Sequence, residues 1–123
     1  MVVNTLDNQI ITQIITQYFQ ATYHGDSDQL KQIFHPNARI SGTINAEFYD
    51  WSVSEFSSRV CSKPSAAANN DPYDKNILFI DRTEDVAIII ATVVINGIRF
   101  TDYITLLKIE NQWLIKNKCF TTS

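Results

Sequence analysis

The sequence predicts an α+β domain in which three N-terminal helices pack on a curved antiparallel sheet. In the first sixty residues, apolar side chains recur at helical spacings of three and four. From Ile77 onward the chain is rich in β-branched and aromatic residues, and Asn96-Gly97 separates two long apolar runs. Helices followed by an antiparallel meander define the α+β class. The 123 residues suffice for one core and not for two, so residues 1–123 are expected to form one domain.

Two helices are expected before Pro36. The first would begin at an Asp7 cap and end at Gly25. The second would begin at Asp26, with Gln29 at the reciprocal capping position, and run to His35, because the residue before a proline disfavours the helical conformation. The inward stripe of the first helix comprises Ile10, Ile11, Ile14, Ile15, Tyr18, Phe19 and Thr22.

A first strand and a third helix follow. Ala38–Ile44 alternates weakly and is predicted to be extended, with a short extended piece at Glu47–Tyr49. Ser52 and Glu55 have the spacing of a capping box, which predicts the start of the third helix. Lys63–Lys75 contains prolines, alanines and asparagines and is predicted to be a mobile loop.

The second half is predicted to hold four strands. Asn96-Gly97 suits a type I′ turn because both residues tolerate positive φ, and Glu110-Asn111 makes a second reversal. Val86–Ile95 is almost wholly apolar, so both of its faces should be covered. The predicted strands are Ile77–Ile80, Val86–Ile95, Ile98–Ile109 and Trp113–Phe120.

Composition excludes several classes of function. A net charge of −3 and a pI near 5.2 argue against nucleic-acid binding, which requires a basic patch. No His, Cys and carboxylate cluster has metal-ligand spacing, and no phosphate-binding glycine loop or nucleophile elbow occurs, so no cofactor is expected. Cys61 and Cys119 are interpreted as small buried residues. Met1–Asp7 lacks the pattern of a signal peptide, and a cytoplasmic protein with no membrane partner is expected.

Asp102 is the strongest candidate for a binding residue. The register set by Asn96-Gly97 places it opposite Ala91, and pairing of Ile109 with Gln112 would place it opposite Cys119. A carboxylic acid on an apolar face between two small neighbours is expected at the floor of a pocket. The alternative is that Asp102 caps backbone amides or pairs with Lys118.

Four motifs carry a resemblance to the nuclear-transport-factor-2-like (NTF2-like) superfamily. They are Tyr18-Phe19 with Gly25-Asp26, Phe34-His35-Pro36-Asn37-Ala38, Phe100-Thr101-Asp102-Tyr103, and Asn111-Gln112-Trp113-Leu114-Ile115. Within this superfamily, which includes ketosteroid isomerase, scytalone dehydratase and SnoaL-type cyclases, the chain is most similar to the group labelled putative lumazine-binding. The resemblance implies a cone-shaped α+β fold, but the fold hosts enzymes, transport factors and dimerisation modules.

The similarity to ketosteroid isomerase implies roles for three positions. Tyr18 matches its oxyanion-hole tyrosine, and Asp102 matches its neutral aspartic acid, which donates a hydrogen bond. The general base would fall at Gly42, which has no side chain. The hydrogen-bond donors are therefore retained while the proton-transfer group is missing.

Further candidates are weaker. His35 is a candidate general base near the cavity or a structural histidine. Tyr18 is expected either to pack in the core or to line the pocket. Aromatic residues are expected to stack on a flat ring or to fill the core, with Trp51 at the pocket mouth. The predicted ligand-binding set is Tyr18, Trp51, Phe56, Phe100, Asp102, Asn117 and Cys119; Tyr18, His35 and Asp102 would be catalytic only in an enzyme.

These features support three functional hypotheses. The first is a homodimeric protein that binds a small apolar or aromatic molecule in a mostly apolar cavity. The second is an isomerase, cyclase or dehydratase acting on a small carbonyl compound, and the third is a dimerisation module with a vestigial pocket. The predicted dimer interface is the outer sheet face, an uncharged surface formed by Ile88, Ile90, Thr92, Val94, Thr101, Tyr103 and Thr105.

Overall fold

The computed structural model describes residues 5–123, with side chains from residue 6 onward. Residues 1–4, part of the stretch interpreted as lacking a signal peptide, lie outside this range. The elements, in chain order, are α1 (Thr5–His24), α2 (Ser27–Ile33), β1 (Phe34–Ile44), β2 (Glu47–Ser52), α3 (Val53–Cys61), β3 (Lys75–Thr83), β4 (Val86–Ile95), β5 (Ile98–Ile109) and β6 (Gln112–Thr122). In the described part of the chain, no helix is long and apolar enough to cross a membrane.

The α+β class is confirmed, with two corrections to the architecture. The six strands form one sheet in the order β2-β1-β6-β5-β4-β3, and its pairs are antiparallel except for β1 with β6, which are parallel. The helices are not all N-terminal, because α3 follows β2. β1 follows α2 directly, lies between β2 and the last strand, and runs parallel to the latter.

Two of the three predicted helix caps are present. Ser52 and Glu55 form the expected capping box at the start of α3, and the Asp26 side chain caps α2 by accepting a hydrogen bond from the Gln29 amide. Asp7 does not cap α1. It lies inside the first turn, where its buried carboxylate accepts a hydrogen bond from Trp113 Nε1 at 3.0 Å and pairs with Lys108.

The transition from α2 to β1 comes two residues earlier than expected. The helix ends at Ile33, and His35 and Pro36 already belong to the strand, which begins before the predicted Ala38. Pro36 is tolerated there because the β1–β6 register shifts between Phe34 and Arg39, so the missing N–H interrupts no regular ladder.

The predicted hairpins are present. Asn96 and Gly97 have φ values of 51° and 77°, and Glu110 and Asn111 have 50° and 64°, as type I′ turns require. Asp102 therefore lies opposite Ala91, as expected.

A β-bulge changes the register on the other side of Asp102. Ile109 pairs with Gln112 as predicted, but the register shifts by one residue between Thr105 and Leu106. Asp102 consequently faces Phe120 and not Cys119, which pairs with Tyr103. Because side chains alternate along a strand, this one-residue shift exchanges the two faces of the last part of β6: Lys118 and Phe120 are buried, and Asn117 and Cys119 are exposed.

The helices and the sheet enclose one hydrophobic core, and the opposite face of the sheet is open. The inward residues of β4 and β5, such as Ile89 and Ile104, are fully buried. On the other face, Ile88 is 36% exposed and Tyr103 is 49% exposed. Cys61 is also exposed, so neither cysteine is the buried residue that was expected. The expectation that both faces of β4 are covered does not hold within one chain.

Candidate functional site

A cavity of about 450 Å³ lies between the concave face of the sheet, α1, α3 and the loop 62–74. Tyr18 and Thr22 line it from α1, and Phe100 and Asp102 line it from β5. The loop that was predicted to be mobile supplies part of the wall. It is held against α1 by Tyr23, whose hydroxyl donates to the carbonyl of Asp71 at 2.6 Å.

The floor of this cavity is a buried network of three polar side chains. The Tyr18 hydroxyl donates a hydrogen bond to Asp102 Oδ2 at 2.8 Å, and Lys118 Nζ donates to Tyr18 Oη at 2.6 Å. Lys118 Nζ lies 3.9 Å from Asp102 Oδ2, which completes an ion pair. All three residues are at most 5% exposed. In this arrangement Asp102 accepts a hydrogen bond from Tyr18, unlike the neutral donor that the resemblance implies.

The Lys118 ammonium is surrounded by aromatic rings. It lies 4.3 Å from the ring centre of Phe56, 4.9 Å from that of Tyr18 and 5.5 Å from that of Phe120. Aromatic faces attract cations, and this attraction strengthens where water is excluded. The rings and the Asp102 carboxylate together offset the cost of removing the ammonium from water.

Burial also shifts the pKa values of Tyr18 and Lys118 in this network. Burial raises the pKa of Tyr18 well above its usual range, and the neighbouring Asp102 carboxylate adds to the effect. The phenol is therefore a hydrogen-bond donor at neutral pH. Burial lowers the pKa of Lys118, and the negative charge of Asp102 opposes that shift.

Stacked aromatic rings form one wall of the cavity. Trp51 lies nearly parallel to Phe120, with ring centres 5.8 Å apart, and stacks on Phe56 at 6.2 Å. The Arg59 guanidinium lies 4.9 Å above the Trp51 ring. Such a wall offers flat apolar surface to a ring-shaped ligand.

Gly42 makes room for this wall. A Cβ atom at this position would come within 2.6 Å of the Phe120 ring and still closer to its carbonyl oxygen. Phe120 therefore occupies the space where the resemblance to ketosteroid isomerase would place a general base.

A second amine, that of Lys75, reaches the cavity from the start of β3. Its Nζ donates a hydrogen bond to Thr22 Oγ1 at 3.2 Å, and the residue is half-buried. Burial lowers the pKa of Lys75 from 10.5 to about 8; the charge of Asp102 opposes the shift and that of Lys118 adds to it. A substantial fraction of this amine is thus neutral near pH 8.

The structure brings most of the sequence-predicted site residues to one place. Tyr18, Trp51, Phe56, Phe100 and Asp102 all line the cavity. Trp51 lies on β2, where it is half-buried within the aromatic wall.

Three of the predicted residues lie elsewhere. Asn117 and Cys119 are on the opposite face of β6 because of the bulge. His35 is absent from the cavity lining, and its Nδ1 accepts a hydrogen bond from the Asn37 amide. His35 is therefore not positioned to act as a general base in the cavity.

Sequence reasoning missed the two lysines as site residues. Lys118 appeared only as an alternative partner for Asp102, because the unshifted register places it on the outer face. Lys75 was assigned to a loop. Its one sequence signal was its position immediately before an apolar strand, which brings an amine to the edge of a sheet.

No metal centre is formed by the part of the chain that the structure describes, since no group of three or more His, Cys, Asp or Glu side chains converges there. The chemistry of the cavity floor is that of an ammonium, a phenol and a carboxylate.

The ion pair predicts non-additive effects on stability. Lys118→Met leaves the Asp102 carboxylate without its cation, so we expect a loss of about 3–5 kcal/mol in the free energy of unfolding. Asp102→Asn/Lys118→Met removes both charges and should lose less than the sum of the two single variants, by about 1 kcal/mol or more. Urea unfolding measures both quantities. The Lys116→Met variant, two residues away on β6, is the control for Lys118→Met. If the losses of the two single variants added up to that of the double variant, the coupling would be contradicted.

Comparison with known proteins agrees with the fold. Residues 6–121 match the family described as "Putative lumazine-binding". An NTF2-like protein of unknown function from Silicibacter pomeroyi superposes with a TM-score of 0.89 at 24% identity, covering 99% of this chain and 100% of that one. An NTF2-like protein from Shewanella baltica superposes with a TM-score of 0.84 at 22% identity, covering 100% and 98%.

A curated relative carries the name of an enzyme. Aldolase FrzH from Cladobotryum sp. is 29% identical over 105 residues, covering 84% of this chain and 81% of the relative. The family match spans nearly the whole chain and agrees with the fold. This chain belongs to the family described as putative lumazine-binding, and its fold is that of NTF2-like proteins.

Proposed function

We propose that this protein binds a small molecule that carries a carbonyl oxygen on a planar or apolar body. The observation that supports this most strongly is the Lys118 ammonium, which is buried in the cavity floor with hydrogen-bonding capacity to spare. A lysine has three N–H donors, and the hydrogen bond to Tyr18 Oη uses one of them. Asp102, at 3.9 Å, lies beyond hydrogen-bond distance.

The rest of the cavity suits the body of such a ligand. The Trp51, Phe56 and Phe120 rings offer flat apolar contact, while Tyr18, Asp102 and Lys118 supply polar groups at the floor. Small-molecule sites commonly combine an apolar wall with a few polar groups that fix orientation, and 450 Å³ lies within their usual size range. The family description points the same way, since lumazine is a flat ring system that bears carbonyl oxygens.

The proposal predicts recognition of the ligand oxygen. Acetophenone should bind more tightly than ethylbenzene, which has the same ring without the oxygen, by roughly 10- to 100-fold, because a hydrogen bond from a buried charged donor contributes about 1.5–3 kcal/mol. Binding is measured by the quenching of tryptophan fluorescence. Loss of this quenching in the Trp51→Phe variant would show that the signal comes from Trp51.

Lys118→Met should bind the two compounds equally, whereas Lys116→Met should retain the preference. Equal binding by the unmodified protein would refute the proposal. If native mass spectrometry of protein purified from its own cells also detected no bound small molecule, the interaction-module hypothesis would be favoured instead.

A second candidate function is catalysis at the carbon next to that carbonyl. Two observations favour it: the floor combines a cation with a carboxylate, and a relative over most of the chain is named an aldolase. The Asp102 carboxylate would accept a proton from the α-carbon, and the electron pair left behind would move onto the carbonyl oxygen beside Lys118. Attack of that α-carbon on a second carbonyl would form a carbon–carbon bond, and the proton would pass to the new alkoxide.

Proton exchange tests this candidate without knowledge of the natural substrate. In deuterated buffer, the protein should accelerate loss of the methyl proton signal of acetophenone in NMR spectra. Asp102→Asn and Lys118→Met should each reduce the rate by about 100-fold or more, as expected for a proton-transfer group and its electrostatic partner. The Lys116→Met variant should accelerate the exchange as much as the unmodified protein does. Bound acetophenone that exchanges only at the buffer rate would indicate binding without catalysis.

The outer sheet face supports a homodimer as the assembly of this protein. Ile90 on β4 pairs with Tyr103 on β5, and Ile88 pairs with Thr105, so these side chains form one continuous patch. The centre of the patch carries no charged side chain, and Asp81 and Arg99, which pair with Ile88 and Val94, lie at its two ends. The centres of two copies can therefore meet about a two-fold axis without like-charge repulsion, and association would cover apolar surface that one chain leaves in water.

Light scattering coupled to size-exclusion chromatography tests the assembly. We expect a dimer at micromolar concentration, and Ile88→Glu should weaken association by about tenfold or more, because it would bury two charges against each other. Leu6→Glu alters an exposed apolar residue of α1 that lies off the sheet and should leave the dimer intact. A monomeric unmodified protein would contradict the proposal.

A further inference from the structure

The cavity holds two amines that lie in different surroundings. Lys118 is hydrogen-bonded to Tyr18 and paired with the Asp102 carboxylate, which favours its charged form. Lys75 donates to the hydroxyl of Thr22, and no carboxylate of the described residues lies within 4.0 Å of its Nζ. The Thr22 hydroxyl already donates its own proton to backbone carbonyls of α1, so toward Lys75 it acts as an acceptor.

The position of Lys75 leaves its amine accessible to a ligand. It lines the cavity at the first residue of β3, where strand pairing with Val93 fixes the backbone. Its side chain is half-buried, whereas Lys118 is 5% exposed. An amine that is held in an enclosed site and lacks a carboxylate partner has the surroundings of a nucleophile.

We propose that Lys75 captures the carbonyl carbon of the bound ligand and forms an imine with it. This inference rests on the proposed function, since it requires a carbonyl compound in the cavity. It deepens that proposal by assigning Lys118 to the carbonyl oxygen and Lys75 to the carbonyl carbon. It also narrows the ligand to aldehydes and unhindered ketones, because esters and amides, including the amide-type ring carbonyls of lumazine, do not form imines readily.

The step balances without any added reactant. The lone pair of neutral Lys75 Nζ forms a bond to the carbonyl carbon, and the π electrons of the carbonyl move to its oxygen. That oxygen takes up two protons, equal in number to those that Nζ loses, and leaves as water as the carbon–nitrogen double bond forms. The Lys118 ammonium, whose pKa burial lowers, is the proton donor in the cavity floor, and it regains from the solution the protons that Nζ releases.

The lowered pKa of Lys75, about 8, supports this role because neutral amine is required for the attack. Lys31 on α2 is exposed and does not line the cavity, so it serves as the reference amine. At pH 7 a fraction of Lys75 is neutral, although its lower basicity also reduces the reactivity of each neutral amine.

Reductive trapping tests the inference. The folded protein is treated with limiting benzaldehyde or acetaldehyde and cyanoborohydride, which converts an imine into a stable secondary amine, and the modified lysines are located by peptide mass spectrometry. Lys75 should be labelled about tenfold faster than Lys31 at pH 7. Its rate should rise with a midpoint near pH 8. Lys75→Arg should remove the fast reaction, with Lys75→Met as a second variant if the first does not fold.

The possible outcomes separate this inference from the function on which it rests. Equal labelling of Lys75 and Lys31, or preferential labelling of Lys118, would overturn it. If the Trp51 signal still reported Lys118-dependent binding of acetophenone, the carbonyl-binding function would stand without the imine. If Lys75 showed no preferential labelling and that binding were also absent, both proposals would fall. Preferential labelling of Lys75 that disappears in Lys75→Arg would support the imine.

Discussion

The buried ion pair between Lys118 and Asp102 is the interaction on which the candidate site depends. Removing an ammonium and a carboxylate from water costs several kcal/mol for each ion, so the surroundings must compensate both. Tyr18 contacts the two groups at once, and three aromatic rings surround the cation. These contacts come from α1, α3, β5 and β6. The charge network therefore fixes how two helices sit on the sheet, as well as which groups face the cavity.

A single extra residue in β6 makes this ion pair possible. Without the bulge, Cys119 would oppose Asp102, and Lys118 would point away from the helices. The bulge exchanges the faces of the strand after Lys116, bringing Lys118 and Phe120 inward. Gly42 on the adjacent strand provides the space that Phe120 then occupies. The aromatic wall and the cationic floor are thus two consequences of one irregularity, which agrees with the general tendency of bulges to lie near functional sites.

The features that could be predicted from the sequence are those fixed by local chemistry. They are the type I′ turn at Asn96-Gly97, the reversal at Glu110-Asn111, the capping box at Ser52 and the pairing of Asp102 with Ala91. Each depends on residues close in sequence or on a two-residue turn that sets the register. The bulge was not predictable in this way because neither Thr105 nor Lys116 is a glycine or proline that would mark an irregularity in a strand. Asp7 illustrates the same limit: its sequence context suggests a cap, but Trp113, distant in sequence, recruits its carboxylate into the core.

The two lysines of the cavity show how one enclosed site can give the same functional group two different properties. Lys118 is the more deeply buried; burial lowers its pKa, and the Asp102 carboxylate, 3.9 Å from its Nζ, opposes that shift. Lys75 is less buried and has no carboxylate at ion-pair distance among the described residues, and burial lowers its pKa to about 8. The two amines therefore differ in their partners as well as in their depth. In the proposed step the carbonyl oxygen would meet the Lys118 ammonium, and the carbonyl carbon would meet the neutral fraction of Lys75. That is the charge distribution which addition to a carbonyl requires, because the developing negative charge on oxygen is stabilised while the nucleophile remains unprotonated.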